Sequence, residues 1–201
     1  MFAYCNNNPV TTSDPKGDVR VAILYDSKLF QKKPFGIAGL FLDLTLRMSS
    51  IGTYSPTAVD SYGFKTVDEF VSAWNSLDGE YDEIYIYAHG SDGIAGIYTG
   101  NGYIRYSPGK NDVSFSELKN VTVNRHVHLY TCYGSQKDSD GHSAAQGFAD
   151  LTNAPVYSTD GVQGTFWLFG ITFAWKCEWT TTYPSRRPSR HSHTTHSVTE
   201  Q

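Results

Sequence analysis

Two short hydrophobic stretches of the chain each end in a side chain that can take part in covalent catalysis. The first stretch, residues 84–88, leads into His89 and Gly90, and the second, residues 127–131, leads into Cys132. A free thiol is only a few per cent ionised at neutral pH, and a neighbouring imidazole can take its proton and later protonate a leaving amine. These residue types therefore indicate a Cys/His pair that acts on an acyl group.

The two stretches must be strands if they are to bring these side chains together. Both are rich in β-branched and aromatic residues and are bounded by glycine, as is typical of buried strands in a parallel sheet. Ligands of open α/β sheets bind beyond the carboxyl ends of such strands. We therefore expect His89 and Cys132 to face one crevice, with the backbone N–H groups of Gly90 and Cys132 as an oxyanion hole. Gly90 would also let a substrate approach the backbone closely.

The order strand, His-Gly, strand, Cys resembles the caspase-like (clan CD) cysteine peptidases over roughly residues 18–163. The resemblance implies an α/β fold, a three-layer α/β/α caspase-like sandwich with a mainly parallel central sheet. It also implies a cysteine endopeptidase in which Cys132 is the nucleophile and His89 the general acid/base, acting on a protein or peptide substrate. That chemistry needs no metal ion and no organic cofactor, and no residue spacing in the chain is typical of a zinc site.

The first 17 residues carry a second resemblance. Residues 1–10, MFAYCNNNPV, and the DPKG tetrapeptide at 14–17 are similar to the end of the core of Rhs/YD-repeat proteins, where a variable toxin domain follows a DPxG motif. The resemblance implies that residues 1–17 close the Rhs-repeat core and that residues 18–179 form the peptidase domain. It further implies a polymorphic toxin tip, secreted or delivered into a target cell and acting in its cytoplasm. Its partners would be the Rhs-repeat shell of the full-length toxin and an immunity protein.

The remaining periodicity predicts the alternation of strands and helices that is typical of an α/β fold. Residues 165–179 are the most apolar segment and are predicted to form either a hairpin that turns at Gly170 or one long strand. Residues 180–201 have almost nothing to bury and are predicted to be a disordered polar tail. The other predicted elements are strands at 19–25, 57–59, 83–88, 127–131 and 155–158, helices at 36–50, from Thr66 to about 78 and at 141–151, a hairpin within 94–106 and a short helix capped by Ser114 or Ser116.

Composition limits the classes of partner. A chain of 201 residues with 39% hydrophobic content can bury one core. The net charge of −4 and the pI near 5.9 argue against a nucleic-acid partner. No stretch reaches the length of about 20 apolar residues that a membrane span needs. The three cysteines are far apart and give no disulfide framework.

Asp160 is the candidate for substrate binding. It follows a predicted strand, and an acidic group there would select Lys or Arg before the cleaved bond by charge complementarity. Its Ser-Thr-Asp-Gly setting suits an ordinary turn equally well. Asp138 and Asp140, in the polar loop after Cys132, compete for the same role.

Two alternatives to the peptidase remain open. One is a catalytically silent caspase-like binding module. The other is a serine hydrolase that uses Ser143, because residues 141–145, GHSAA, resemble the G-x-S-x-G nucleophile elbow. That motif requires a buried strand directly before the serine, whereas residues 136–140 are polar. The sequence therefore favours a position for Ser143 in the first turn of a helix.

Overall fold

The computed structural model describes residues 19–31, 58–166, 171–175 and 178–185. Residues 1–17, the helix predicted at 36–50, and Cys5 and Cys177 lie outside these ranges. In chain order, the described elements are β1 (Arg20–Asp26), α1 (Ser27–Gln31), β2 (Ala58–Phe64), α2 (Val67–Ser76), β3 (Glu80–Tyr87), β4 (Gly96–Tyr98), β5 (Tyr103–Arg105), β6 (Val113–Ser114), a 3-10 helix (Phe115–Glu117), β7 (Thr122–Tyr130), α3 (Ala144–Thr152), β8 (Val156–Thr159), β9 (Val162–Phe166), β10 (Ile171–Trp175) and β11 (Trp179–Thr182).

The main sheet is mostly parallel. Its strands lie in the order β11-β8-β7-β3-β1-β2, and every neighbouring pair is parallel except β11 with β8 at one edge. The chain runs from β1 to its neighbour β2 at the edge and then crosses to the other side of β1 to begin β3. In α/β sheets the ligand lies beyond the carboxyl ends of the strands, near such a change of direction. The predicted α/β class with a mainly parallel central sheet is confirmed.

The larger core lies between one face of the sheet and helices α2 and α3. Phe70 and Trp74 of α2 and Phe148 of α3 are completely buried there. The other face carries a smaller cluster of buried residues, which includes Ile23 and Tyr85. Strands β1 and β3 are thus buried on both faces, which is why their sequences read as nearly continuous apolar runs.

Local capping fixes where the helices begin, as the sequence predicted. The Thr66 hydroxyl accepts the N–H of Glu69 at 3.3 Å and caps α2. The Glu69 carboxylate accepts the N–H of Lys65 at 2.6 Å, one residue earlier than in a standard capping box. Ser114 and Glu117 form a complete capping box around the 3-10 helix. The predicted hairpin within 94–106 is the antiparallel pair β4–β5.

Several strands are longer than predicted. β2 extends to Phe64, β3 begins at Glu80 and β7 begins at Thr122. Most of their additional residues are polar or exposed, and only Phe64, Tyr81 and Val123 are buried apolar residues, so the hydrophobic pattern there is weak. Pairing of the backbone with a neighbouring strand holds them in the sheet all the same. These boundaries depend on pairing with a strand that is distant in sequence, so local patterns did not predict them.

The segment after β8 contains both a hairpin and an edge strand. β9 and β10 are antiparallel partners, which agrees with the hairpin predicted for residues 165–179, although Gly170 lies outside the described residues. β11 then pairs with β8, so the predicted start of the disordered tail at residue 180 is corrected. An edge strand needs backbone hydrogen bonds more than apolar side chains, and the alternately exposed threonines of β11 gave no hydrophobic signal.

No helix of the described segments is both long enough and apolar enough to cross a lipid bilayer.

Candidate active site

The fold places His89 and Cys132 at matching positions beyond two neighbouring strands. β3 and β7 are parallel partners, and their last residues, Tyr87 and Tyr130, face each other in the register. His89 lies two residues beyond Tyr87, and Cys132 lies two residues beyond Tyr130. Because paired strands lie about 4.8 Å apart, both residues reach the same short stretch of the sheet edge.

Gly90 brings the backbone after His89 against the backbone of Cys132. A Cβ atom added to Gly90 would overlap the Cys132 carbonyl oxygen and would lie 2.6 Å from the Thr131 Oγ1. No other residue fits at that separation without moving one of the two loops. The glycine in the His-Gly pair is therefore needed for close contact between the two loops that carry the candidate dyad.

The small sheet formed by β4, β5 and β6 holds the backbone of His89. The N–H of Tyr98 on β4 donates to the carbonyl oxygen of His89 at 2.8 Å, and the two residues form an antiparallel bridge. The hydroxyl groups of Ser91 and Tyr103 lie 3.0 Å apart and share a hydrogen bond. The His89 side chain itself is exposed and faces solvent. Its backbone is fixed while its ring stays accessible.

Gln136 links the histidine loop to the cysteine loop. Its Oε1 accepts the N–H of Gly93 at 3.0 Å, and its Nε2 donates to Asp92 Oδ1 at 2.8 Å. Gln136 belongs to the loop after Cys132, whereas Asp92 and Gly93 follow His89. One amide side chain thus satisfies two groups of the opposite loop and holds the loops in one arrangement.

The sulfur of Cys132 lies against the beginning of β9. The cysteine is free and half-buried. The N–H of Gln163 donates to Sγ at 3.4 Å, and the thiol lies 3.8 Å from the carbonyl oxygen of the same residue. The Gln163 side chain donates to Thr159 Oγ1 at 3.1 Å. The position of the sulfur is therefore set by the turn between β8 and β9.

The backbone directly after Cys132 is strained. Tyr133 has a φ of 56°, in the left-handed region that non-glycine residues rarely adopt. Its N–H donates to the carbonyl oxygen of Gly161 at 2.7 Å. The N–H of Ser135 donates to the carbonyl oxygen of Thr159 at 2.9 Å. These bonds offset a strain of about 1–2 kcal/mol. Strain of this kind concentrates at functional sites.

The predicted oxyanion-hole donors belong to the same two loops. Within the described ranges, the backbone N–H of Gly90 and that of Cys132 donate to no protein acceptor. Unpaired N–H donors close to a nucleophile can stabilise the negative charge that develops on a carbonyl oxygen during acyl transfer.

Asp160 lies at the same edge of the sheet as Cys132. It is exposed and follows β8, the strand next to β7. Its Oδ1 accepts the N–H of Glu178 at 3.3 Å. Asp138, one of its competitors, closes a turn by accepting two N–H groups of its own loop, and Asp140 is exposed in that loop.

Ser143 has a structural role in the described fold. It is only 2% exposed and caps the N-terminus of α3, where its hydroxyl accepts the N–H of Gln146 at 3.1 Å. Residues 131–143, between β7 and α3, contain no strand. The geometry that a nucleophile elbow requires is therefore missing around this serine.

A second group of polar side chains, Glu83 on β3 with His126 and His128 on β7, was not indicated by any sequence motif. Glu83 Oε2 lies 3.5 Å from His128 Nε2 and accepts the hydroxyl of Tyr85 at 2.6 Å. Burial alone would raise the pKa of Glu83, but His128, Tyr85 and the guanidinium of Arg125 together lower it to about 2. Burial lowers the pKa of His126. The cluster thus contains a carboxylate that is charged at neutral pH.

No protein-family model and no curated protein matches this chain.

Proposed function

We propose that the protein is a caspase-like cysteine endopeptidase in which His89 and Cys132 form the catalytic dyad. The observation that carries the proposal is their placement two residues beyond the facing ends of β3 and β7, with Gly90 seated against the Cys132 carbonyl. The free, half-buried thiol and the exposed imidazole supply the two groups that acyl transfer requires.

The hydrolysis proceeds in two stages. His89 takes the thiol proton, and the Cys132 sulfur attacks the scissile carbonyl carbon to form a tetrahedral oxyanion, which the N–H groups of Gly90 and Cys132 stabilise. The C–N bond then breaks, and His89 protonates the leaving amine. Next, His89 takes a proton from water, which attacks the thioester. The C–S bond then breaks, the carboxylic acid product leaves, and His89 returns the proton to the Cys132 sulfur.

Asp160 is proposed to select the substrate. Its exposed carboxylate, at the end of the strand next to β7, would attract a Lys or Arg side chain immediately before the cleaved bond. The turn that Asp160 begins leads directly to Gln163, whose N–H contacts the sulfur. A peptide bound across this turn would present its carbonyl carbon to Cys132.

The biological setting is proposed from the resemblance of residues 1–17 to the end of an Rhs-repeat core. In that setting the peptidase is the tip of a polymorphic toxin that is secreted or delivered into a target cell. It acts there in the cytoplasm on a protein substrate, and an immunity protein protects the producing cell. The Rhs-repeat shell would enclose the tip in the full-length toxin.

The test is cleavage of a peptide library by the parent protein and by Cys132→Ala. We expect the parent to cleave, with a preference for Lys or Arg before the bond, and the variant to lose activity by about 10⁴-fold or more. Its melting temperature should change little, because one sulfur is removed from a half-buried site. Cys5→Ala and Cys177→Ala are the matched controls and should cleave at the parental rate. Equal cleavage by Cys132→Ala would refute the proposal.

A catalytically silent binding module is the second candidate, and the contact of the Cys132 sulfur with the Gln163 backbone favours it. Donation of the thiol proton to the Gln163 carbonyl oxygen would favour the protonated form, which is the less nucleophilic one. A peptide carrying a thiol-reactive group distinguishes the two functions. A peptidase should be labelled at Cys132 faster than at Cys5 or Cys177, whereas a silent module should show no such selectivity.

A fluorophosphonate probe tests Ser143 in parallel, and labelling there would support a serine hydrolase.

A further inference from the structure

Three side chains with metal-binding atoms meet on one face of the main sheet. The register of β3 and β7 pairs Glu83 with His126, and His128 follows two residues later on the same face of β7. One ligand atom from each of the three lies within 4.8 Å of the others. The cluster therefore joins the two strands whose ends carry His89 and Cys132.

One buried atom of this cluster, the Nε2 of His128, lacks a hydrogen-bond partner among the described residues. This nitrogen is also inaccessible to solvent. Glu83 Oε2 lies 3.5 Å from it but does not form a hydrogen bond with it. A buried polar atom without a partner is costly, and an ion that it coordinates would satisfy it.

The surrounding aromatic residues hold the donor groups in place. The ring of Tyr85 stacks on that of His128 with 4.5 Å between centroids, and the Tyr157 ring lies 4.8 Å from that of His126. The Tyr85 hydroxyl donates to Glu83 Oε2 at 2.6 Å. Contacts that orient a ligand in this way are typical of the layer of residues around a metal site.

From this arrangement we propose that Glu83, His126 and His128 bind one divalent transition-metal ion with the ligand preferences of Zn²⁺. Two imidazoles and one carboxylate form a donor set that Zn²⁺ accepts, with bonds of about 2.0–2.2 Å to each. The ligand atoms, which lie within 4.8 Å of one another, move closer together when the ion binds. The ion would pin β3 to β7 and take no part in the hydrolytic steps, so this proposal stands independently of the peptidase activity.

The neighbouring cation, Arg125, limits which oxygen of Glu83 can bind an ion. The Arg125 guanidinium lies 3.8 Å from Glu83 Oε1, which is the carboxylate oxygen that does not face His128. Its charge opposes binding of a cation by Coulomb repulsion. The proposed ion must therefore bind through Glu83 Oε2, the oxygen that faces the histidine.

The test uses the full chain with His191, His193 and His196 changed to serine, so that tail histidines cannot bind the probe. After treatment with a chelator, the protein is titrated with ZnCl₂ by calorimetry and with Co²⁺ by absorption. We expect 1:1 binding, a cobalt d–d band and a higher melting temperature with zinc. His128→Ala, and separately His126→Gln in case the first variant does not fold, should weaken binding by about 100-fold.

The control variant is His142→Gln, because Asp138, Asp140 and His142 form the other candidate group in the described residues. It should bind zinc as the parent does, and circular dichroism verifies that each variant is folded. The proposal is overturned if the parent fails to bind zinc, if the folded His126 and His128 variants bind it as tightly as the parent, or if His142→Gln is the variant that loses binding.

Discussion

Gly90 leaves no room for a side chain between the two loops of the proposed dyad. The sequence suggested that this glycine would admit a substrate, whereas the structure shows it against the Cys132 carbonyl and the Thr131 hydroxyl. Gly90→Ala should therefore push the loops apart, destabilise the fold by about 1–3 kcal/mol and reduce kcat/KM by about 100-fold. Peptide cleavage and urea unfolding measure the two effects.

Gly93→Ala is the matched control in the same loop. A Cβ there meets open space, although its φ of 70° makes alanine unfavourable by about 1–2 kcal/mol. The control should therefore lose stability but keep most of its activity. If both variants lose activity equally, loop strain and not the contact with Cys132 explains the effect.

Among the elements, the small sheet of β4, β5 and β6 positions His89, and Asp112 holds that sheet together. The Asp112 carboxylate accepts the N–H groups of Tyr103 and Gly109, each at 2.8 Å, and pairs with Arg105 at 2.6 Å. Burial alone would raise the pKa of Asp112, but the two N–H groups and Arg105 lower it below its ordinary value of 3.8.

A lowered pKa in the folded state gives the pH dependence a definite sign. The Asp112 carboxylate stabilises the fold above its unfolded-state pKa, and this contribution is lost as the pH falls through the lower folded-state value. Asp112→Asn should cost about 1–2 kcal/mol at neutral pH. The difference from the parent should shrink in urea titrations at about pH 3. Exposed Asp140→Asn should change little at either pH, and a parent–variant gap that widens in acid would contradict the argument.

At the scale of the whole molecule, one aromatic core joins the helices to the sheet. Phe148 is completely buried, and its ring lies 5.2 Å from those of both Trp74 and Phe115. Phe148→Ala should lower the free energy of unfolding by about 3–5 kcal/mol.

Because one core supports both loops of the site, tryptophan fluorescence and the reactivity of the Cys132 thiol should report the same urea midpoint.

The control for the core is Tyr183→Ala, which removes a ring that is 66% exposed. It should leave the midpoint nearly unchanged. Thiol reactivity that rises well before the fluorescence changes would mean that the site opens without unfolding of the core.

The sequence by itself determined the features that depend on near neighbours. Hydrophobic periodicity and turn chemistry predict the alternating strands and helices, the cap at Thr66, a cap at Ser114 or Ser116, the hairpin before Tyr106, and the positions of His89 and Cys132 after apolar strands. These signals are local because each depends on residues only a few positions apart.

Only the tertiary structure decided which distant residues meet. The parallel register of β3 and β7 places His89 and Cys132 beyond facing strand ends and also gathers Glu83 with His126 and His128. The bond between Gln136 and Asp92 joins residues 44 positions apart. Register between parallel strands is set by the packing of both faces and by the crossover connections. No short stretch of sequence contains that information, so these contacts could not be predicted from the chain alone.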